Sequence, residues 1–260
     1  MSADGTRADG VSAEGLSADV STADAVTTNV PRPPRFWTTC RLIAGKDLRV
    51  ERRSRVVTNQ VLPFAGVTMV IFAFALDKET VLEQVAPGLI WLATMFSLLV
   101  LVQRSFAIEA DDGAMDAMRV AGVDARAIFV GKALALGAQL LVLEVVLLIL
   151  AVVLYRQTVQ ADGAVLLVTT LLVATCGLAA VGTLYGGLAA GIKGRETLLP
   201  LLTLPAVAPV LIGATRAVEA ALGTVGAVVS DGWPWVGLLA VFAVAFGVGG
   251  ALAFGPLVDE

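Results

Sequence analysis

The chain has 260 residues, of which 57% are hydrophobic and 15% are charged, and its mean hydropathy is +0.85. Soluble globular domains carry about 25% charged residues, so this composition is that of an integral membrane protein. The net charge of −4 comes entirely from residues 1–30, and the rest of the chain holds equal numbers of acids and bases. A neutral body of this kind argues against binding to nucleic acid, which requires a basic face.

The sequence contains no histidine and only two cysteines, Cys40 and Cys176. These counts exclude a histidine acid or base, Ser-His and Cys-His pairs, and imidazole ligation of haem or zinc. A phosphate-binding loop is also missing, because Gly131-Lys132 is followed by alanine and lacks the earlier glycine. We therefore expect a protein that is not an enzyme, binds no cofactor or metal itself, and leaves any ATP hydrolysis to a partner chain.

The chain begins with residues 1–34, which are rich in Ala, Ser, Asp, Gly and Thr and poor in large apolar side chains. Such a segment cannot bury a core, and it predicts a disordered acidic tail. Residues 35–260 predict one membrane domain.

Residues 36–55 open this domain with Trp37, Cys40, Ile43 and Leu48 near helical spacing among several arginines and a lysine. This pattern predicts an amphipathic helix that lies in the membrane interface instead of crossing it. A solvated basic linker is the alternative interpretation.

Six apolar runs follow, and each is long enough to cross about 30 Å of hydrocarbon, which takes about 20 helical residues. They predict an all-α polytopic bundle with six transmembrane helices. The fourth run contains two Gly-x-x-x-Gly spacings, typical either of close helix contacts or of ordinary glycine enrichment. Three prolines predict that the fifth span is bent or broken, and residues 215–231 predict a short hairpin. The runs cover residues 56–76, 85–102, 133–154, 164–192, 198–214 and 236–254.

Lysine and arginine are distributed asymmetrically around the predicted spans. Fourteen lie before the first span or in the second and fourth loops, and three, Lys78, Arg156 and Arg216, lie on the other side. Positive residues accumulate on the cytoplasmic side of a membrane. We therefore expect an inner-membrane protein with both termini in the cytoplasm.

The loop between the second and third spans predicts a short amphipathic helix on the cytoplasmic surface, capped near Gly113 and ended by Gly122. A merely solvated loop is the alternative. Paired methionines form adaptable contact surfaces, and two of them favour a docking element here. The candidate partner-binding residues are Glu109, Asp111, Asp112, Gly113, Met115 and Met118.

Glu144 lies inside the third predicted span. A carboxylate near the bilayer centre costs a few kcal/mol, so it should face other helices or water. Two interpretations stay open: a functional group on a substrate or proton path, and a structural hydrogen bond to another helix.

Four segments together resemble the CcmB family, the permease subunits of the haem-related ABC transporter of cytochrome c maturation. They are KDLRVERRSR at 46–55, NQVLPF at 59–64, residues 101–135 and residues 178–212. The Glu109–Gly113 spacing is common to ABC-2 type permeases. Arg104-Ser105-Phe106 before it, and Arg195-Glu196 before the fifth span, are the more specific signals.

The resemblance implies that residues 35–260 form an ABC-2 type permease domain. It also implies that residues 109–123 form a coupling helix that docks on a CcmA-type ATP-binding subunit. Further implied partners are other cytochrome c maturation membrane proteins, a second copy of the chain and membrane lipid, with haem as the transported substrate. The alternatives are an ABC-2 permease for a drug or lipid, and an ATP-independent carrier or scaffold.

Overall fold

A computed structural model describes residues 35–76, 78–111, 113–156, 161–190 and 195–259. The predicted disordered tail, residues 1–34, lies outside the described residues. All regular structure in the described part is helical, which confirms the all-α prediction. The helices are α1 (Phe36–Ser54), α2 (Leu62–Ala75), α3 (Glu79–Asp111), α4 (Ala114–Val120), α5 (Ala125–Tyr155), α6 (Ala164–Ala190), α7 (Arg195–Leu222) and α8 (Val229–Asp259).

Six helical segments are long and apolar enough to cross a membrane, as predicted. The first consists of a π-helical turn, Val57–Val61, that runs into α2, and the others lie in α3, α5, α6, α7 and α8. Most of these helices extend beyond the apolar runs that predicted them. At the start of α5, for example, the Asp124 side chain accepts a hydrogen bond of 2.9 Å from the Arg126 backbone N–H and caps the helix.

Two expectations for the fifth span, a break at its prolines and a hairpin after it, are wrong. Pro200, Pro205 and Pro209 lie inside one continuous α7, because α3, α6 and α8 pack along this helix and stabilise it where backbone hydrogen bonds are lost. The predicted hairpin at 215–231 is instead the last two turns of α7, a 3-10 turn at Thr224–Gly226 and the start of α8.

Helix α6 packs against α3, α5, α7 and α8. A Cβ atom added at Gly182 would lie 2.8 Å from Leu98 and Val102 of α3, and one at Gly186 would lie 2.5 Å from the Phe106 ring. This Gly-x-x-x-Gly pair is therefore a close contact between α6 and α3, as the first of the two interpretations predicted.

Helix α1 confirms the predicted amphipathic helix, so the linker alternative is wrong. Its buried face, Cys40 and Ile43, packs on α5 at Gly131, where an added Cβ would lie 2.8 Å from Ile43. Trp37 and Leu42 are exposed on the remaining surface. The helix therefore combines a protein contact with an exposed apolar surface suited to a membrane interface.

Candidate functional site

The chain turns sharply between α3 and α5. Gly113, with φ of +62°, separates α3 from the two-turn helix α4, and Gly122, with φ of +68°, follows α4. Neither conformation fits within a right-handed helix. The region predicted as one coupling helix over 109–123 is therefore divided, and Glu109 belongs to the last turns of α3.

The predicted partner-binding residues do not share one exposed surface. Glu109 is only 4% exposed, whereas Gly113 is exposed. Met118 is half-buried and packs against the hydrophobic core. Asp112 lies outside the described residues, as do the side chains of Asp111 and Met115.

Glu109 takes part in a buried charge cluster, defined here as Lys46, Asp47, Glu109 and Lys132. Its carboxylate binds Lys46 through one oxygen, and its other oxygen lies 2.8 Å from Lys132 Nζ. Asp47 lies 3.2 Å from Lys46 Nζ and 3.3 Å from Lys132 Nζ. Each carboxylate therefore contacts both ammonium groups, and the four charges form a closed ring with no net charge.

Lys132 is the most deeply buried of the four, with 2% of its side chain exposed. Besides the two carboxylates, Ser105 Oγ lies 3.1 Å from Nζ and accepts a hydrogen bond from it. The ring of Phe106 lies beside the ammonium, with 4.5 Å between Nζ and the ring centroid, and adds a cation–π contact.

Lys46 is half-exposed at the edge of the cluster. Burial lowers its pKa, but the hydrogen bond to Glu109 and the negative charge of Asp47 outweigh that effect and raise the pKa above its ordinary value. Lys46 therefore stays charged at neutral pH.

A cavity of about 140 Å³ opens beside the cluster. Lys46, Asp47 and Glu109 contribute to its wall together with Ala114, the first residue of α4. The cluster and the α4 segment are thus neighbours in space.

Glu144 is fully buried between α5 and α6, which favours the interpretation as a structural hydrogen bond between helices. The Thr175 hydroxyl lies 2.6 Å from Glu144 Oε2 and 2.6 Å from the Leu171 carbonyl oxygen. One hydroxyl proton cannot serve two acceptors at this distance equally well. Both contacts are satisfied if Glu144 carries a proton and donates to Thr175, which then donates to Leu171.

Glu144→Gln is expected to leave the thermal stability and the amount of protein in the membrane unchanged, because an amide N–H replaces the acid proton. Thr175→Val, which keeps the shape but removes the hydroxyl, should destabilise the protein by about 1–3 kcal/mol by leaving a buried carboxyl without its partner. Thermal unfolding of both variants in one detergent checks this. Reduced transport by a normally abundant Glu144→Gln protein would instead support the path interpretation.

The family model described as CcmB protein matches residues 38–256. The chain belongs to the CcmB family. Its relatives include proteins named Heme exporter protein B. The one from Rhodobacter capsulatus is 30% identical over 174 residues, 66% of this chain and 78% of the relative. The one from Pseudomonas aeruginosa is 28% identical over 192 residues, 70% and 81% of the two chains. The one from Escherichia coli K12 is 30% identical over 188 residues, 72% and 82% of the two chains.

In this CcmB chain, two of the segments that carried the resemblance meet at the charge cluster. Segment 46–55 supplies Lys46, and residues 101–135 supply Glu109 and Lys132. Sequence reasoning singled out Glu109 alone and missed Lys46, Asp47 and Lys132 as a site. The sequence does place these three residues at the ends of apolar segments. That position does not indicate which acid forms an ion pair with which base.

Proposed function

We propose that this chain is the membrane permease subunit of an ABC transporter that exports haem for cytochrome c maturation. The CcmB family match over residues 38–256, combined with six apolar helices, is the observation that carries the proposal. We infer haem as the cargo from the name of the relatives, Heme exporter protein B. The chain has no phosphate-binding loop, so we assign ATP hydrolysis to a separate CcmA-type subunit.

Copurification tests the proposal. The tagged chain should copurify with an ATP-binding subunit. Deletion of the gene for this chain should abolish covalent haem attachment to cytochrome c, and restoring that gene should reverse the loss. An ATPase partner with normal cytochrome c in the deletion strain would point to a drug or lipid as cargo. Failure to capture any ATPase would favour an ATP-independent carrier or scaffold.

We place the α4 end of the bundle in the cytoplasm of a cell with the chain in its inner membrane. The support is the charge asymmetry, fourteen basic residues against three, because α1 carries five of the fourteen and residues 104–132 carry four more. With six spans, both termini then lie in the cytoplasm. Residue-specific labelling of single cysteines placed at Arg53 and Arg216, each exposed, should label the two from opposite sides.

We assign ATPase docking to α4 and the glycine before it. Val120, at the end of α4, is apolar and 90% exposed, so it offers an apolar contact to a groove on a partner. Glu109 contributes indirectly, since its carboxylate is already engaged by two lysines. The roles of Asp111, Asp112, Met115 and Met118 in docking stay predictions.

Val120→Asp is expected to weaken binding to the ATPase about tenfold, which corresponds to about 1.4 kcal/mol, because a charge would be buried in the interface. Val120→Ala keeps an apolar side chain and is the matched control. Gly113→Pro should abolish association without preventing membrane insertion, since proline is restricted to φ near −65° and cannot adopt +62°. Quantitative copurification measures all three, and wild-type recovery of the ATPase with both Val120→Asp and Gly113→Pro would contradict the assignment.

We infer that two copies of the chain, or this chain with another maturation membrane protein, form the complete pathway. Six spans suit a half-transporter that works with a pair of ATPases. The exposed apolar side chains of α2 and α8, such as Phe74 and Val241, provide surfaces for lipid or for such a partner. The mass of the purified complex will give the copy number.

We propose that haem is cargo and that this chain holds no haem of its own. Histidine is the usual haem ligand, and the chain has none, so iron ligation falls to partner subunits. The purified chain, incubated with haem and passed over a desalting column, is expected to show no stable Soret band. A stoichiometric band would contradict this assignment.

A further inference from the structure

Three helices that are distant in sequence meet at the charge cluster. Lys46 and Asp47 lie on α1, Glu109 lies on α3 and Lys132 lies on α5. Because both acids contact both lysines, the ring has no free end. Displacing any one helix breaks at least two ion pairs at once.

The ring lies close to the segment assigned to ATPase docking. Glu109 is five residues before Ala114, the first residue of α4, and both residues border the same cavity as Asp47. Between them the chain passes Gly113, the left-handed residue at which α4 could pivot. A force applied to α4 therefore reaches the ring through a very short piece of chain.

We propose that Asp47 and Lys132 are positioning residues that make α1, the end of α3 and the start of α5 move as one body when the ATPase acts on α4, an inference that rests on the proposed function. Buried ion pairs of this kind have discrete arrangements and do not stretch gradually. Without the ring, a push on α4 would be absorbed at Gly113 and at the α1–α5 contact. With it, the push moves the interfacial helix and two spans together.

Through the ring, helix α1 moves together with the end of α3 and the start of α5. Its packing on α5 is otherwise made by small or apolar residues, Cys40, Ile43 and Gly131. The close packing of Ile43 on Gly131 sets where α1 crosses α5. The ring ties that crossing to the end of α3 as well, through the contact of Lys46 with Glu109. The exposed Trp37 and Leu42 would then carry the motion into the membrane surface.

Coupling of transport to hydrolysis provides the first test. Complexes of the full chain with its ATPase are purified, and their haem export per ATP hydrolysed is compared at equal amounts of complex. Asp47→Asn is expected to lower this ratio about tenfold while ATP hydrolysis continues. Asp47→Glu keeps the charge and should recover most of the ratio, and Arg49→Gln, an exposed change on the same helix, should match the wild type. A merely structural role would lower the amount of complex and not the ratio.

A distance measurement on the full chain without the ATPase provides the second test. Spin labels at Arg49 and Arg126, both exposed, report the separation of α1 and the start of α5 in a chain whose two cysteines are replaced by alanine. The intact ring should give one narrow distribution, and Asp47→Asn or Lys46→Gln should broaden it. Lys46 is half-exposed, so its variant is available if Asp47→Asn does not fold.

The outcomes distinguish a failure of the positioning role from a failure of the proposed function. A wild-type export ratio in Asp47→Asn, or equally narrow distributions in the ring variants, would overturn the positioning role. Failure of the wild-type chain to assemble with an ATPase or to export haem would refute the proposed function, and the distance measurement would still decide whether the ring holds α1 to α5.

Discussion

Glu109→Gln is expected to destabilise the protein by about 3 kcal/mol. Removing one member of a buried ion pair typically costs about 3–5 kcal/mol, because the remaining charge stays buried without compensation. Lys132, with 2% of its side chain exposed, would keep Asp47 and Ser105 as partners, which places the expected loss at the lower end. Thermal unfolding of the purified chain in one detergent measures the loss.

Two variants make this prediction specific. Glu109→Gln combined with Lys132→Met removes one charge of each sign, leaves the Lys46–Asp47 pair and should recover most of the stability. Arg216→Gln breaks an exposed ion pair of 2.9 Å with Glu219 and should change stability by no more than about 1 kcal/mol. Equal losses in Glu109→Gln and Arg216→Gln would show that burial of the cluster has no energetic consequence.

Gly186→Ala is expected to destabilise the bundle by about 1–3 kcal/mol through overpacking. The added Cβ would lie 2.5 Å from the Phe106 ring and 2.6 Å from Val102, so α6 and α3 would have to separate or the ring would have to move. Since Phe106 also contacts Lys132, the change should disturb the charge cluster too.

The matched control for this change is Gly249→Ala, in α8, where no atom lies within 4 Å of the added Cβ. There the better helix propensity of alanine should stabilise the protein by up to about 1 kcal/mol. Combining Gly186→Ala with Phe106→Leu should restore part of the lost stability. Opposite signs for the two glycine changes are the expected result in thermal unfolding, and the same sign and size would contradict close packing at Gly186.

Much of the fold followed from local patterns. The six spans and helix α1 came from apolar length and helical spacing, both of which are written in consecutive residues. The helix ends were less predictable, since α5 begins at Ala125 and α3 at Glu79, several residues before the apolar runs that predicted them. The prolines of α7 suggested a break because local rules do not include the neighbouring helices that pack along α7 and stabilise it.

The candidate site was less accessible from local patterns. Glu109 was singled out by its spacing from Gly113, but its role was read as that of a surface residue, because spacing does not reveal burial. Val120 was not predicted as a docking residue, because a single valine in a polar loop forms no recognisable pattern. Its exposure depends on how α4 is turned relative to α3, which no motif encodes.

The sequence alone determined four properties, because each depends only on composition and on runs of about 20 residues. They are membrane residence, the number of spans, the bias of basic residues and the lack of histidine. The charge cluster could not be predicted from composition or from local runs. Lys46 and Glu109 are 63 positions apart, and Asp47 and Lys132 are 85 apart, so their pairing depends on how α1 lies across α5 and α3. Packing at Gly131 and at Gly186 sets that arrangement, and it brings four separated charges into one neutral ring that is buried except at Lys46.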